Sequence, residues 1–343
     1  MGCKPSKEEY VYDEGQVEND HIEKQLRHDE VARSNEIKIL LLGTGDSGKS
    51  TVLKQLKFIN GPGYSEDDRT FFKGIIFTNI VHSMLAILEA MDAFGIPFAS
   101  PTTANPHASV IFAQPRRPII QSLPCDVSLA ISTLWDDAGV RACFSRCSEF
   151  QICDSAQYYF DEIERIASEK FIPTDQDILR SRQKTTGVAE FSFTNKATVY
   201  RIIDVGGQRS ERKKWMHYFE DVDLVLFLVA MSEYDQALYE DGSVNRLQEA
   251  LDLFSSICQS QWFKRTAVQL VFNKTDIFRQ KLKHSPLQAH FPDFHGGSDY
   301  AAAREYISNK FISMAQMRYP DNYICATDTS QVRLMLGRIM DRL

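Results

Sequence analysis

Gly43-Thr44-Gly45-Asp46-Ser47-Gly48-Lys49-Ser50 follows directly on the apolar run Ile37 to Leu42. A strand-like run that ends in a glycine-rich turn reads as strand, loop and helix in succession. Glycines at both ends of the loop let the backbone wrap closely around phosphate oxygens, so that several N–H groups and the following helix N-terminus face the anion. Lys49 then reaches the β and γ phosphates, and Ser50 ligates Mg²⁺. The stretch points to a nucleoside triphosphate ligand.

Two more segments follow strand-like runs, where an open α/β sheet builds its ligand site. Asn273-Lys274-Thr275-Asp276 comes after the apolar run Val268 to Phe272. An Asp276 carboxylate facing the base accepts both the N1–H and the exocyclic amine of guanine. Adenine has no such pair of donors and would strand the carboxylate, at a cost of about 1 to 3 kcal/mol or more for a charged group. The nucleotide expected is therefore GTP or GDP. Ile324-Cys325-Ala326-Thr327 lies beyond a third strand-like stretch.

Asp204-Val205-Gly206-Gly207-Gln208 follows the strand-like run Thr198 to Ile203, and Arg182-Gln183-Lys184-Thr185-Thr186-Gly187 precedes it in the chain. Asp204 is suited to hold a Mg²⁺ shell through water, and Gly207 offers an N–H to the γ-phosphate with no side chain in the way. Gln208 orients the attacking water. Thr185 completes an octahedral Mg²⁺ shell with Ser50, two phosphate oxygens and waters, as suits a hard cation that keeps part of its hydration. Arg182, three residues before Thr185, neutralises charge on the transferring phosphoryl group.

With these motifs in view, the chain resembles the α subunits of heterotrimeric G proteins from Met1 to about Leu336. Small GTPases share the phosphate loop, Asp-x-x-Gly and Asn-Lys-x-Asp, but lack the internal arginine and the domain inserted ahead of it. Here Leu134-Trp135-Asp136-Asp137-Ala138-Gly139-Val140 and Asp154-Ser155-Ala156-Gln157-Tyr158-Tyr159 look like the family's helical domain. Arg180 to Gly187 looks like its first switch, and Asp204 to Trp215 like its second. The family is itself a standard example of an arginine supplied in cis, with a class effect of roughly 10³ to 10⁵ in kcat. The resemblance implies a P-loop GTPase, a Ras-like doubly wound α/β sheet with an inserted all-α helical domain. It adds Thr51, Asp154, Ser155, Leu179, Arg180, Cys325 and Thr327 to the nucleotide-binding residues, and brings the Ala326 N–H to the guanine O6.

The expected division is a lipidated N-terminal helix over 1–35, a GTPase domain over 36–63 and 180–343, and a helical domain over 64–179. At 343 residues and 43% hydrophobic content the chain is long enough for both cores. Phe71, Phe72, Ile75, Ile76, Ile80, Met84, Leu88 and Met91 recur at helical spacing and read as core until Gly95-Ile96-Pro97 stops the helix. Pro97 to Pro124 reads as a long irregular excursion, with Arg116-Arg117 in a solvated turn. After Gly187, strands and helices alternate as a doubly wound sheet demands.

Met1-Gly2-Cys3-Lys4-Pro5-Ser6 matches the N-myristoylation pattern, with Gly2 as acceptor and Cys3 available for palmitoylation. One myristoyl chain gives only marginal membrane affinity, so Cys3 supplies the second anchor. Residues Lys7 to Arg33 are highly charged, with Val11, Val17, Ile22, Leu26 and Val31 as sparse apolar points. Such a helix needs a partner or stays exposed. In the family it binds the βγ dimer together with the second switch, where Trp215 is a natural anchor.

A net charge of −7 argues against nucleic acid as a partner. The seven cysteines lack metal-ligand spacing and no signal peptide precedes them, so reduced thiols are expected. The longest apolar run, Leu224 to Met231, is a strand too short to span a bilayer, so membrane contact is expected through lipid. Two departures from the family stand out: Asp46 where Glu is usual, and Ile324 where Thr is usual. The last helix runs from near Thr329 to Leu343, whereas members of the family continue about three turns further into the tail that contacts receptors, which weakens the expectation of a receptor partner. The expected function is a GTP-hydrolysing switch on the cytoplasmic face of the plasma membrane, exchanging βγ dimer, effector and a hydrolysis-accelerating regulator. A non-cycling nucleotide-bound adaptor is the alternative, against which intact Gln208 and Arg182 argue.

Overall fold

The computed structural model describes residues 35–115, 122–315 and 322–342, together with 19 and 21–24. The acylation sites Gly2 and Cys3, most of the charged segment 7–33 and the Arg116-Arg117 pair lie outside the described residues.

Six strands form one sheet: β1 (Glu36–Leu42), β2 (Val188–Asn195), β3 (Thr198–Val205), β4 (Leu224–Ala230), β5 (Ala267–Asn273) and β6 (Asn322–Tyr323). Their spatial order is β2-β3-β1-β4-β5-β6, and β2 alone runs antiparallel, on the edge. All seven residues of β4 are buried, as a parallel strand covered on both faces requires. Side chains alternate between the faces. Leu40, Leu42, Phe227, Val229 and Phe272 pack to one side, and Ile39, Leu41, Leu226, Leu228 and Val271 to the other. The register sets Leu41 beside Asp204 and Ala230 beside Asn273. One edge of the sheet thus gathers the ends of β1, β3 and β5, and with them the loops that carry the motifs.

Among the described residues from Glu36 onward the α-helices are α1 (Lys49–Asn60), α2 (Glu66–Phe94), α3 (Pro101–Phe112), α4 (Cys125–Asp136), α5 (Ala138–Phe144), α6 (Ala156–Asp161), α7 (Ile163–Ile166), α8 (Asp175–Arg180), α9 (Arg246–Gln259), α10 (Thr275–Lys281), α11 (Tyr300–Ala315) and α12 (Thr329–Met340). Helices α1 and α12 cover one face of the sheet through Val52, Leu56, Val332, Met335 and Ile339; α9 and α11 cover the other through Leu247, Phe254, Ile307 and Phe311. A third core, built only from residues between 76 and 171, has no strand in it. Its centre is α2. A capping box between Ser65 and Asp68 starts that helix, and Gly95 in the left-handed conformation ends it, at the stop expected from the sequence.

The apolar stripe of α2 is core over most of its length but not at its start. Ile76, Ile80, Met84, Leu88 and Met91 are buried, whereas Phe71 is 59% exposed. Phe72 instead meets the Tyr64 ring edge-on, with the Lys54 ammonium 5.1 Å from its centre. By length and apolar composition α2, not β4, is the element that could cross a membrane, but most of that stretch is buried among its neighbouring helices.

The stretch expected to be irregular from Pro97 to Pro124 contains α3. Pro101 occupies its first turn, where a missing N–H costs nothing, and Ala104, Ala108 and Ile111 bury a stripe at helical spacing against α4. Burial of that stripe outweighs the lost hydrogen bond at Pro106.

Candidate nucleotide site

At the sheet edge the chain turns sharply, and Gly48 adopts φ 98° as the residue before α1. A β-carbon there would lie 2.1 Å from Asn273 Nδ2, so glycine is needed for space as well as for conformation. No side chain caps the start of α1. Its first N–H groups are the kind of donors that gather an anion. Within the loop Gly43, Thr44 and Ser47 are buried, while Gly45, Asp46, Gly48, Lys49 and Ser50, with Thr51 after them, line the cleft. The Lys49 ammonium donates to Thr44 O at 2.7 Å, Gly43 O at 3.1 Å and Ser47 Oγ at 3.3 Å. Burial lowers its pKa, against the opposing pull of Asp204, Asp46 and Glu233.

Three oxygen donors from three segments converge beside it. Ser50 Oγ lies 2.7 Å from Thr185 Oγ1 and donates to Asp204 Oδ2 at 2.5 Å. Asp204 is fully buried, and its Oδ1 has no hydrogen-bond partner. Burial pushes its carboxyl up, while Lys49 and Ser50 hold it down. Among the described residues no group of three His, Cys, Asp or Glu side chains forms a closed metal site. Two hydroxyls and one carboxylate, with room left for other oxygens, are the donor set of a hard cation shared with a ligand.

Gln208 lies against the phosphate loop: a β-carbon on Gly45 would come 3.3 Å from its Cγ. Gly207 has no room for a side chain, because a β-carbon would sit 2.4 Å from Lys49 Nζ and 2.5 Å from Thr44 O. Arg182 reaches across from the segment after α8. Its Nε donates to Asp46 Oδ1 and a terminal nitrogen to Asp46 Oδ2, both at 2.8 Å. The shorter Asp in place of the family's Glu therefore still makes the full fork. Burial alone raises the Asp46 carboxyl, but Arg182, with Lys274 and Arg246 behind it, outweighs this and holds it well below the usual carboxylate range. The Asp46 charge raises the Arg182 pKa in return.

On the base side Asn273 acts as a bracket. Its Nδ2 donates to Ser47 O at 2.9 Å, and its Oδ1 accepts from the Ala326 N–H at 2.9 Å. The Ala326 N–H, expected from the family resemblance to meet the guanine O6, is in this arrangement given to Asn273. Gln55 holds the Ala326 carbonyl at 3.0 Å. Asp276, Cys325, Ala326 and Thr327 line the same end of the cleft, and Asp276 is exposed there. Asp154, Ser155, Leu179 and Arg180 close it from the helical body.

The two bodies are clasped over the cleft by Lys274 and Asp154 together with three residues not singled out from the sequence, Gln151, Glu233 and Arg246. Buried Glu233 pairs with Lys274 at 2.8 Å and with Arg246 at 3.3 Å. Lys274 then reaches Asp154 at 2.6 Å, and Arg246 binds Gln151. Arg246 had one legible signal. It opens α9, where the helix dipole disfavours a cation, so it needs acidic company elsewhere.

A family model described as G-protein alpha subunit matches residues 16–343. The chain belongs to the G-protein alpha subunit family. It is 52% identical to the guanine nucleotide-binding protein subunit alpha of Emericella nidulans and 54% identical to that of Cochliobolus heterostrophus. It is 53% identical to the guanine nucleotide-binding protein alpha-1 subunit of Neurospora crassa. Each match spans 99% of this chain and 96% of the relative. In this alpha subunit the segment after Gln208 is pinned to α9, where Arg209 and Arg212 both end on the Glu249 carboxylate. Trp215 is 3% exposed, and its indole donates to Gly206 O at 2.8 Å. It is core in this conformation, not the surface anchor expected from the sequence; Met216 beside it is the exposed side chain.

Proposed function

We propose that this alpha subunit is a guanine-nucleotide switch: it binds GTP in the cleft between the two bodies, hydrolyses it, and exchanges partners as it does so. The observation that carries hydrolysis, beyond binding, is the fork between Arg182 and Asp46, which holds a guanidinium against the phosphate loop in the same cleft that Gln208 lines. Gln208 orients a water for attack on the γ-phosphorus. The bond from that phosphorus to the β–γ bridging oxygen breaks, leaving GDP and inorganic phosphate. Arg182 and Lys49 meet the charge that accumulates on the transferred oxygens.

Ser50, Thr185 and Asp204 fit Mg²⁺, because their oxygens converge and Asp204 Oδ1 lacks a partner. When bound, the ion neutralises charge on the β and γ phosphates. Asp276 provides the guanine-selective carboxylate, in keeping with relatives that are guanine nucleotide-binding proteins. A βγ dimer, an effector, a hydrolysis-accelerating regulator and a receptor are the partners the family implies. Acyl chains on Gly2 and Cys3 would hold the chain at the cytoplasmic face of the plasma membrane.

Single-turnover hydrolysis by the purified chain with Mg²⁺, beside Gln208→Leu, tests this reading. Hydrolysis in the parent and its loss in the variant support the switch. No hydrolysis in either protein overturns it and leaves a nucleotide-bound adaptor.

A further inference from the structure

We propose that Asn79, on α2 of the helical body, is a positioning residue for Arg182, so that hydrolysis itself depends on the helical body being docked. Asn79 Oδ1 accepts the Arg182 N–H at 2.7 Å, and its Nδ2 donates to the Arg182 carbonyl at 2.9 Å. One planar amide thereby satisfies both backbone groups of a single residue, which Asn suits because it carries an acceptor and a donor side by side. The residue before the arginine is fixed from the other body. Lys54 on α1 donates to Ser181 O at 2.7 Å, to Ser181 Oγ and Ile178 O at 2.9 Å.

The consequence follows from leverage. The Arg182 side chain is half exposed and reaches Asp46 through a long flexible stem. Its guanidinium stays over the phosphate loop only while its own backbone is held. Lys54 holds the neighbour from the sheet side, but the groups on Arg182 itself are held by a helix that packs into the strandless core. When the helical body swings away Asn79 goes with it. Misplacement of a catalytic group by about 1 Å can cost on the order of 10²-fold in rate. Body opening then stops hydrolysis as well as releasing nucleotide.

This inference rests on Arg182 acting in hydrolysis, and the test separates the two. Single-turnover rates at saturating GTP and Mg²⁺ are measured for the full chain, Asn79→Ala, Arg182→Cys and the double variant, alongside affinity for a slowly hydrolysed GTP analogue. The expected result is a roughly tenfold slower Asn79→Ala with unchanged analogue affinity, and no further loss when Asn79→Ala is added to Arg182→Cys. A parental rate in Asn79→Ala, with Arg182→Cys slow, overturns the role of Asn79 alone. An equal loss in both backgrounds also overturns it, since Asn79 then acts independently of Arg182. A parental rate in Arg182→Cys overturns the reading of the arginine and this inference with it.

Discussion

Arg182 and Asp46 lie 136 residues apart in the chain and meet through two parallel 2.8 Å hydrogen bonds that close the cleft from above. Asp46 sits in the left-handed region at φ 61°, and Arg246 stands 3.5 Å from its second oxygen. Asp46→Asn keeps the shape but removes the charge that draws Arg182 across. Hydrogen bonds to charged groups contribute about 1.5 to 3 kcal/mol, less when half exposed. Release of a fluorescent GDP analogue should therefore quicken by roughly tenfold. Release at the parental rate would mean that the fork does not restrain the nucleotide.

Gly207→Ala tests the crowding beneath the γ-phosphate position. The added methyl lands on Lys49 Nζ and on the Thr44 carbonyl. The carbonyl belongs to the backbone of the loop and cannot swing aside, so the lysine must move. The expected outcome is a drop of at least about tenfold in affinity for a GTP analogue with a smaller change for GDP, because in the proposed switch the Lys49 ammonium and the Gly207 N–H both serve the third phosphate. Equal losses for the two nucleotides in a titration would place the damage in the loop as a whole.

The path from β1 through the phosphate loop into α1 was legible because every cue in it is local: an apolar run, a glycine turn, a helix start. The strands before Asp204 and Asn273 were legible for the same reason, as was the end of α2 at Gly95. What stayed hidden depends on contacts remote in sequence. Nothing near Ala326 announces that Asn273, 53 residues earlier, takes its N–H. Nothing around Trp215 says that Gly206 O will receive its indole and bury it. Helix α3 was masked by Pro, Ser and Thr, although Ala104, Ala108 and Ile111 carry its period. Phe71 follows the period of α2 but lies beyond the neighbours that cover the stripe. The clasp residues Gln151, Glu233 and Arg246 are each ordinary in sequence and acquire meaning only where the two bodies meet.

Glu233 is the hub of that clasp, and its removal should be felt more than removal of either strap. Its side chain is 3% exposed and faces Arg246 and Lys274 together. Glu233→Gln leaves two cations near each other with their shared anion gone. Breaking a buried pair in this way costs about 3 to 5 kcal/mol. Asp154→Asn removes only the partly exposed end of the Lys274 bridge, and about 1 kcal/mol is expected. Thermal melts of the GDP-bound proteins should show a clearly larger loss for Glu233→Gln than for Asp154→Asn. The reverse order would contradict the central place given to Glu233.

Lys54 gives the pH prediction. Burial lowers its pKa from the usual 10.5 to about 8, with Cys153 and Asp204 pulling the other way. Between about pH 8 and 10.5 the unfolded chain therefore binds more protons at this site than the folded one. Unfolding free energy rises with pH wherever the unfolded state holds the extra proton, so Lys54 contributes a gain in stability across that window and none below it. At about 1.36 kcal/mol per unit the gain between pH 8 and pH 10 is at most about 2 kcal/mol. Other groups titrate in the same range, so the quantity to measure is a difference. Lys54→Met loses the bonds to Ile178 and Ser181 at every pH, but only the lysine protein should recover stability as pH rises. Urea midpoints at pH 8 and pH 10 for both proteins give the comparison. The gap between them should widen at pH 10 in favour of Lys54; a constant gap would mean that the ammonium titrates as if it were in water.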